Sequence, residues 1–168
     1  MIFDASSLFN LHNGELFPVL VMLPRVDILF GPQVRQECRS IASSLDQLLL
    51  DGAAKLLDDD DLAFGRFAEL AIRYELGPGE TECLVFAESL GCTVCCDDGR
   101  ARKMISREIG DDRLTGTIGL IQMACAHGIL SDAQARSAHS LMIARGGFLP
   151  SLPPAAGAAE PTWRNRSS

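Results

Sequence analysis

The residues of this chain best equipped for chemistry are carboxylates set at the ends of short apolar runs. Asp4 closes Met1-Ile-Phe-Asp4, and Asp97 and Asp98 close Cys92-Thr-Val-Cys-Cys96-Asp97-Asp98. Glu37 and Glu82 sit early in two stretches with helical spacing, so independent segments can deliver acids to one edge. A carboxylate that ends a buried strand needs a partner or an ion, because burying an unpaired charge is costly. Two carboxylates about 4 Å apart repel by roughly 4 kcal/mol at an effective dielectric of about 20. Several together either rise in pKa or recruit a divalent cation. All-oxygen ligands suit Mg²⁺ or Mn²⁺, and an acid cage around such ions suits metal-assisted phosphodiester hydrolysis.

Each of these acids also has a plain structural role open to it. Glu37 can be an exposed helical acid paired with a nearby Arg, and Glu80 and Glu82 can simply favour a helix N-terminus. Asp97-Asp98-Gly99 has the composition of a turn with a helix cap. The four acids Asp58 to Asp61 read as a solvated turn rather than a metal site. Arg100, Arg102 and Lys103, just after Asp98, can grip a nucleic-acid backbone or merely offset the acids beside them.

The elements that must position these groups alternate. Strands are expected at Met1 to Ala5, Val26 to Phe30, Ala53 to Leu57, Cys92 to Cys96 and Leu114 to Gly116. Helices are expected between them. One follows Ser6-Ser7 and one follows Gly31-Pro32, carrying Val34, Cys38, Ile41, Ala42 and Leu45 on one side. A third runs from Leu62 to Glu75 with Phe64, Phe67, Ala68 and Ala71 inward, and a fourth from Glu80 to the C-terminal glycine Gly91. Further helices cover Arg100 to Arg107, Thr117 to His127, and the stretch from Ser131-Asp132 to Gly146-Gly147. Repeating β-α order argues for a three-layer α/β/α fold around a mainly parallel sheet. Functional groups in such a sheet gather at the carboxyl ends of strands where the strand order reverses. Asp4 and Asp97-Asp98 end strands that are neighbours in the common doubly wound order. Residues 1–149 are expected to form one domain, and residues 150–168, rich in Pro, Ala, Gly and Ser and containing Trp163, a loose tail.

Composition bounds the rest. The chain has 168 residues, 47% of them hydrophobic and 22% charged, enough for one domain with a core that needs no staple. Lys+Arg 15 against Asp+Glu 22 gives a net charge of -7, which argues against a protein held on nucleic acid by bulk positive charge. Of the 6 cysteines, Cys92 and Cys95 form a CxxC on a strand, where residues three apart point to opposite faces and cannot easily share an ion. The cysteines therefore read as structural, in a reducing compartment. Asp4 stands where the basic and apolar regions of a signal peptide would begin, and the run from Leu16 to Leu23 is too short to span a bilayer. A cytoplasmic protein with no membrane partner is expected.

Five passages in order carry a resemblance: Ile2-Phe-Asp4-Ala-Ser6-Ser-Leu8; Pro32-Gln-Val34-Arg-Gln-Glu37; Leu76-Gly-Pro-Gly79-Glu80-Thr-Glu82-Cys-Leu84; Cys96-Asp97-Asp98-Gly-Arg100-Ala101-Arg102; and Leu114-Thr115-Gly116-Thr117-Ile-Gly119-Leu120. From Met1 to about Leu149 the chain resembles the PIN-domain nucleases, the group that includes VapC-type toxins. The resemblance implies a metal-dependent endoribonuclease with Mg²⁺ or Mn²⁺ on a four-carboxylate site. Asp4, Glu37, Glu82 and Asp98 would be its catalytic acids, and Asp4, Glu82 and either Asp97 or Asp98 the direct ligands. Ser6, Arg100, Arg102, Lys103 and Thr117 would touch the substrate. PIN enzymes often carry Asp at the third acid position, whereas this chain offers Glu80 and Glu82; two apart on a helix, they cannot both face one site, and Glu82 is favoured. The resemblance also implies an RNA substrate, an antitoxin protein partner and a homodimer. A catalytically weak PIN-like module binding RNA or protein through the same rim is the alternative. A phosphoacceptor receiver or a haloacid-dehalogenase-like phosphatase fits poorly, since no Lys follows the fifth strand and Ser6, not Asp, stands two residues after Asp4.

Overall fold

Five short strands form one wholly parallel sheet in the order β3-β2-β1-β4-β5 in a computed structural model that describes residues 1–153. In chain order the elements are β1 (Ile2–Phe3), α1 (Ala5–Asn13), α2 (Phe17–Val21), β2 (Ile28–Phe30), α3 (Pro32–Glu37), α4 (Ala42–Leu50) and β3 (Ala54–Leu56). Then come α5 (Phe64–Tyr74), α6 (Pro78–Leu90), β4 (Val94–Cys95), α7 (Gly99–Ile109), β5 (Leu114–Thr115), α8 (Thr117–Ala126) and α9 (Asp132–Ala144). Each strand is shorter than its apolar run, because only the central residues pair: Ile2 lies opposite Leu29 on one side and Val94 on the other.

The sheet is covered by helices in the three-layer α/β/α arrangement expected. α6 packs on β1 and β4 with α3, α5 and α7 around it, while α1, α2, α8 and α9 pack among themselves. Ile2, Phe3, Phe30, Leu84, Val94 and Cys95 are fully buried. Covering on both faces explains why the strands read as continuous apolar runs rather than alternating ones. Each large apolar side chain removed from water contributes roughly 1.5–3 kcal/mol. Among the described residues no helix is long and apolar enough to cross a membrane.

Two expectations change, and one helix is new. The helix after Gly31-Pro32 is broken: α3 ends at Glu37, Cys38 turns out of the helical basin (φ -84, ψ 28), and a 3-10 turn at Arg39–Ile41 leads into α4. Val34, Cys38, Ile41 and Leu45 are all buried across the break, so a common apolar side survives a change of axis. In α5 the inward stripe is Phe67, Leu70 and Tyr74, whereas Phe64 is 68% exposed and Ala68 lies in solvent. Spacing of three and four residues permits either stripe, and packing against α6 selects the later one. The apolar run after Leu16 forms a helix of its own, α2, with Pro18 in its first turn. Residues 150–153 run as irregular chain; the remainder of the expected tail, 154–168 with Trp163, lies outside the described residues.

All six cysteines are free. Burial pushes the Cys38 thiol up to about 12 and raises Cys83, Cys95 and Cys96 as well, so these thiols stay protonated and poorly nucleophilic.

Candidate active site

β1 and β4 are adjacent and parallel, so the residues that leave them emerge side by side at the point where strand order reverses. Asp4 leaves β1 as the N-cap of α1: one carboxylate oxygen accepts from the Ser7 amide at 2.9 Å, the other from the Ser6 hydroxyl at 2.8 Å. The same Ser6 hydroxyl accepts from the Asp97 amide at 3.0 Å, so it stitches the two strand ends together. Asp4 is 3% exposed, and this burial holds its carboxyl above the usual carboxylate range, with hydrogen bonds from the Ser7 amide and neighbouring side chains offsetting part of the rise.

The two acids after β4 do different work. Asp97 is half-buried and takes donors on both oxygens: the Thr117 amide at 2.8 Å on one, and the Asn10 side-chain amide at 2.8 Å with the Thr117 hydroxyl on the other. It thereby holds the start of α8 and the middle of α1. Asp98 is exposed and caps α7, with Oδ1 accepting from the Arg100 and Ala101 amides at 2.8 Å each. Its Oδ2 makes no hydrogen bond among the described residues.

α3 and α6 bring the glutamates. Glu37, exposed at the end of α3, accepts from the Gly79 amide at 3.0 Å. Glu80 accepts from the Gly77 amide at 2.9 Å, closing a capping box at the start of α6. Partial burial raises the Glu80 pKa, and repulsion from Asp98, Asp4 and Glu37 adds to the rise. Glu82 is fully buried and turned elsewhere. Its two oxygens accept from the Gln33 and Val34 amides at 3.0 and 3.2 Å, at the start of α3. Gly31 makes that approach possible, since a Cβ there would lie 2.2 Å from the Glu82 carboxyl carbon. Burial raises Glu82 too, opposed by the same two amide hydrogen bonds.

The basic residues after Asp98 also divide. Arg102 donates to the carbonyls of Cys96 and Thr115, bracing the ends of β4 and β5. Arg100 donates to the Tyr74 carbonyl at 3.3 Å and pairs with Glu75 at 3.2 Å, both partners of that pair being well exposed. Lys103 is exposed and makes no ion pair or hydrogen bond among the described residues. Two participants had weak or no signal in the sequence. Asn10 is visible only in retrospect as the residue four after Ser6, hence on the same face of α1. For Glu80 and Glu82 the spacing says that they take different sides of α6, not which side each takes.

No Lys, Arg or His among the described residues forms an ion pair with Asp4, Glu37, Glu80, Glu82, Asp97 or Asp98. The donor chemistry of this rim therefore fits a hard divalent cation: all-oxygen, anionic and uncompensated. Among the described residues no three acidic, His or Cys side chains stand close enough to hold an ion between them.

The family model described as PIN domain matches residues 1–151 of the chain. No curated protein and no solved structure gives a significant match.

Proposed function

The chain belongs to the PIN-domain family, whose members are generally nucleases, and on that premise we propose that it is a metal-dependent ribonuclease acting at the rim where β1 and β4 end. The observation that carries the proposal is that Asp4 and Asp97-Asp98 emerge side by side from the adjacent strands β1 and β4, tied by the Ser6 hydroxyl, with no cationic side chain among the described residues paired to them or to Glu37 and Glu80. Asp4 and Asp98 would hold a Mg²⁺ or Mn²⁺ ion, with Glu37 and Glu80 around it. The ion would supply charge neutralisation at the scissile phosphodiester and a more acidic coordinated water. Ser6 keeps the Asp4 carboxylate and the Asp97 backbone in fixed relation. Asp97 holds Asn10 and Thr117, the latter fully buried and so a support rather than a substrate contact, and Lys103 on α7, five residues after Asp98, would meet the substrate backbone.

Single-stranded RNA incubated with the purified chain should be cut with Mg²⁺ or Mn²⁺ and left whole in chelator. Asp4→Asn should lower the rate by about a hundredfold or more, since electrostatic stabilisation worth several kcal/mol is removed. RNA that stays intact with either ion, on a chain whose circular dichroism shows it folded, would leave the second reading. In that reading the rim is a binding surface of a catalytically weak module, favoured by the fact that Glu82 spends both oxygens on the amides of α3. The resemblance to VapC-type toxins extends the first reading to a toxin restrained by a small antitoxin protein. Induced expression should then arrest growth for the wild type and not for Asp4→Asn.

A further inference from the structure

The acid rim opens, past Ser6 and Asp98, into a groove that reaches residues the metal chemistry does not use. After α9 the chain turns through Gly146 and Gly147 and presents Phe148 with 98% of its surface in solvent. A phenyl ring left so bare on a folded domain forgoes the burial it would gain in a core. The loop that carries it is anchored. A Cβ on Gly147 would lie 2.6 Å from Asn10 Oδ1 and 2.9 Å from the Met142 carbonyl oxygen, so the backbone packs directly on α1. Arg145, just before the loop, donates to the Asn13 carbonyl at 2.7 Å and pairs with Glu15 at 2.9 Å. Phe148 is thus an exposed ring on a tethered loop.

Between this ring and the strand ends runs an open groove of about 420 Å³, with Phe9, Asn10 and Asn13 on the α1 side and Asp97 at its inner end. No Lys or Arg among the described residues lines it. Away from the rim, at Phe9, Asn13 and Phe148, a phosphate would find no cationic side chain among the described residues. An uncharged aromatic heterocycle meets suitable chemistry instead. Its face can lie on Phe148, its N–H donors can meet carboxylate oxygens, and its polar edge can meet the Asn13 amide, which makes no hydrogen bond among the described residues.

We propose that this groove seats one unpaired base of the substrate strand, stacked on Phe148, while the adjoining phosphate lies at the acid rim. The proposal rests on the nuclease reading for the identity of the strand, and it makes Phe148 a residue that positions and selects substrate rather than a catalytic one. It requires a single strand, because a base within a duplex cannot be splayed onto a protein ring without unpairing.

The test is binding in chelator, which is blind to cleavage. A fluorescent single-stranded RNA oligomer, and copies bearing one abasic site at successive positions, are titrated with wild type, Phe148→Ala and Phe148→Trp by anisotropy. Phe148→Ala should weaken binding of the intact oligomer by about five- to a hundredfold, the range of one base–aromatic stack. One abasic position should cost the wild type a similar factor and cost Phe148→Ala nothing further, while Phe148→Trp keeps wild-type affinity. Equal Kd for wild type and Phe148→Ala would overturn the proposal, as would an abasic penalty of the same size in both. Melting temperatures should be unchanged, since the ring touches little. The two readings separate cleanly: an oligomer bound through Phe148 but uncut with Mn²⁺ removes the nuclease and keeps the base seat. An oligomer cut by Phe148→Ala with unaltered KM removes the base seat and keeps the nuclease.

Discussion

At the scale of single residues the informative pair is Glu80 and Glu82, two positions apart and turned to different tasks. Glu82 is buried with both oxygens on amides at the start of α3. A Glu82→Gln side chain would face one of those amide donors with its own NH₂ group. It should cost about 1–3 kcal/mol, the range for a buried donor left unsatisfied, measured by urea unfolding. Glu80→Gln keeps an oxygen for the Gly77 amide and removes a carboxylate that burial raises, so it should hold or slightly raise stability at pH 7 while lowering RNA cleavage and Mn²⁺ affinity. If Glu82→Gln were instead stable but inactive and Glu80→Gln fully active, the ligand role would pass to Glu82. The helical spacing makes it plain that the two cannot share a site. Which of them turns to the rim depends on where α3 lies against α6, a contact between segments far apart in sequence. Asp97 and Asp98 pose the same problem. Their adjacency is legible, but that Asp97 clamps Asn10 and Thr117 while Asp98 caps α7 follows from tertiary placement of α1 and α8.

At the scale of elements, the β-α alternation was enough to predict a parallel sheet and to place the ends of β1 and β4 together, because crossover connections and burial leave few alternatives. The break between α3 and α4 and the phase of the α5 stripe were not legible, since each depends on a neighbouring surface. For α5 that neighbour includes a charge network. Arg66 pairs with Glu69 at 2.9 Å, Glu88 at 2.7 Å and Glu108 at 2.5 Å, tying α5 to α6 and α7. The Tyr74 hydroxyl donates to Glu108 as well. Tyr74 and Arg66 together hold the Glu108 carboxyl below its ordinary value of 4.5. A depressed carboxylate contributes stability that is present above that ordinary value and lost as pH falls through the lower folded-state value. Arg66→Met should therefore lower the melting temperature at pH 7, with a difference from wild type that shrinks in acid and in about 1 M salt. A difference indifferent to both pH and salt would mean that Arg66 acts through packing of its aliphatic stem.

For the whole molecule, the net charge of -7 first argues against a partner as anionic as RNA. Part of that charge is ordinary surface: Asp58 to Asp61 form an exposed 3-10 turn capped by Asp58. The rest matters because of where it lies. Burial raises Asp4 above its ordinary value of 3.8, so its charged form opposes folding, the reverse of the Glu108 case. Such a group contributes stability that is fully present below 3.8 and lost as pH rises through its folded-state value. In chelator at pH 7, Asp4→Asn should consequently melt higher than wild type, the more so because Asn caps a helix as well as Asp does and can still accept from the Ser7 amide. The gap should close as the solution is acidified below the ordinary Asp value. A saturating divalent cation should then reverse the ranking at pH 7, since a ligand at about a hundred times its Kd stabilises the folded state by about 2.7 kcal/mol. Only the wild type should gain, so one set of melting curves with and without Mn²⁺ decides the matter. If the two chains melt together in chelator, the hydrogen bonds from Ser6 and Ser7 fully offset the cost of burying the Asp4 charge. If Mn²⁺ then shifts neither, the rim does not bind that cation and cannot rely on it to overcome the acidic charge of the chain.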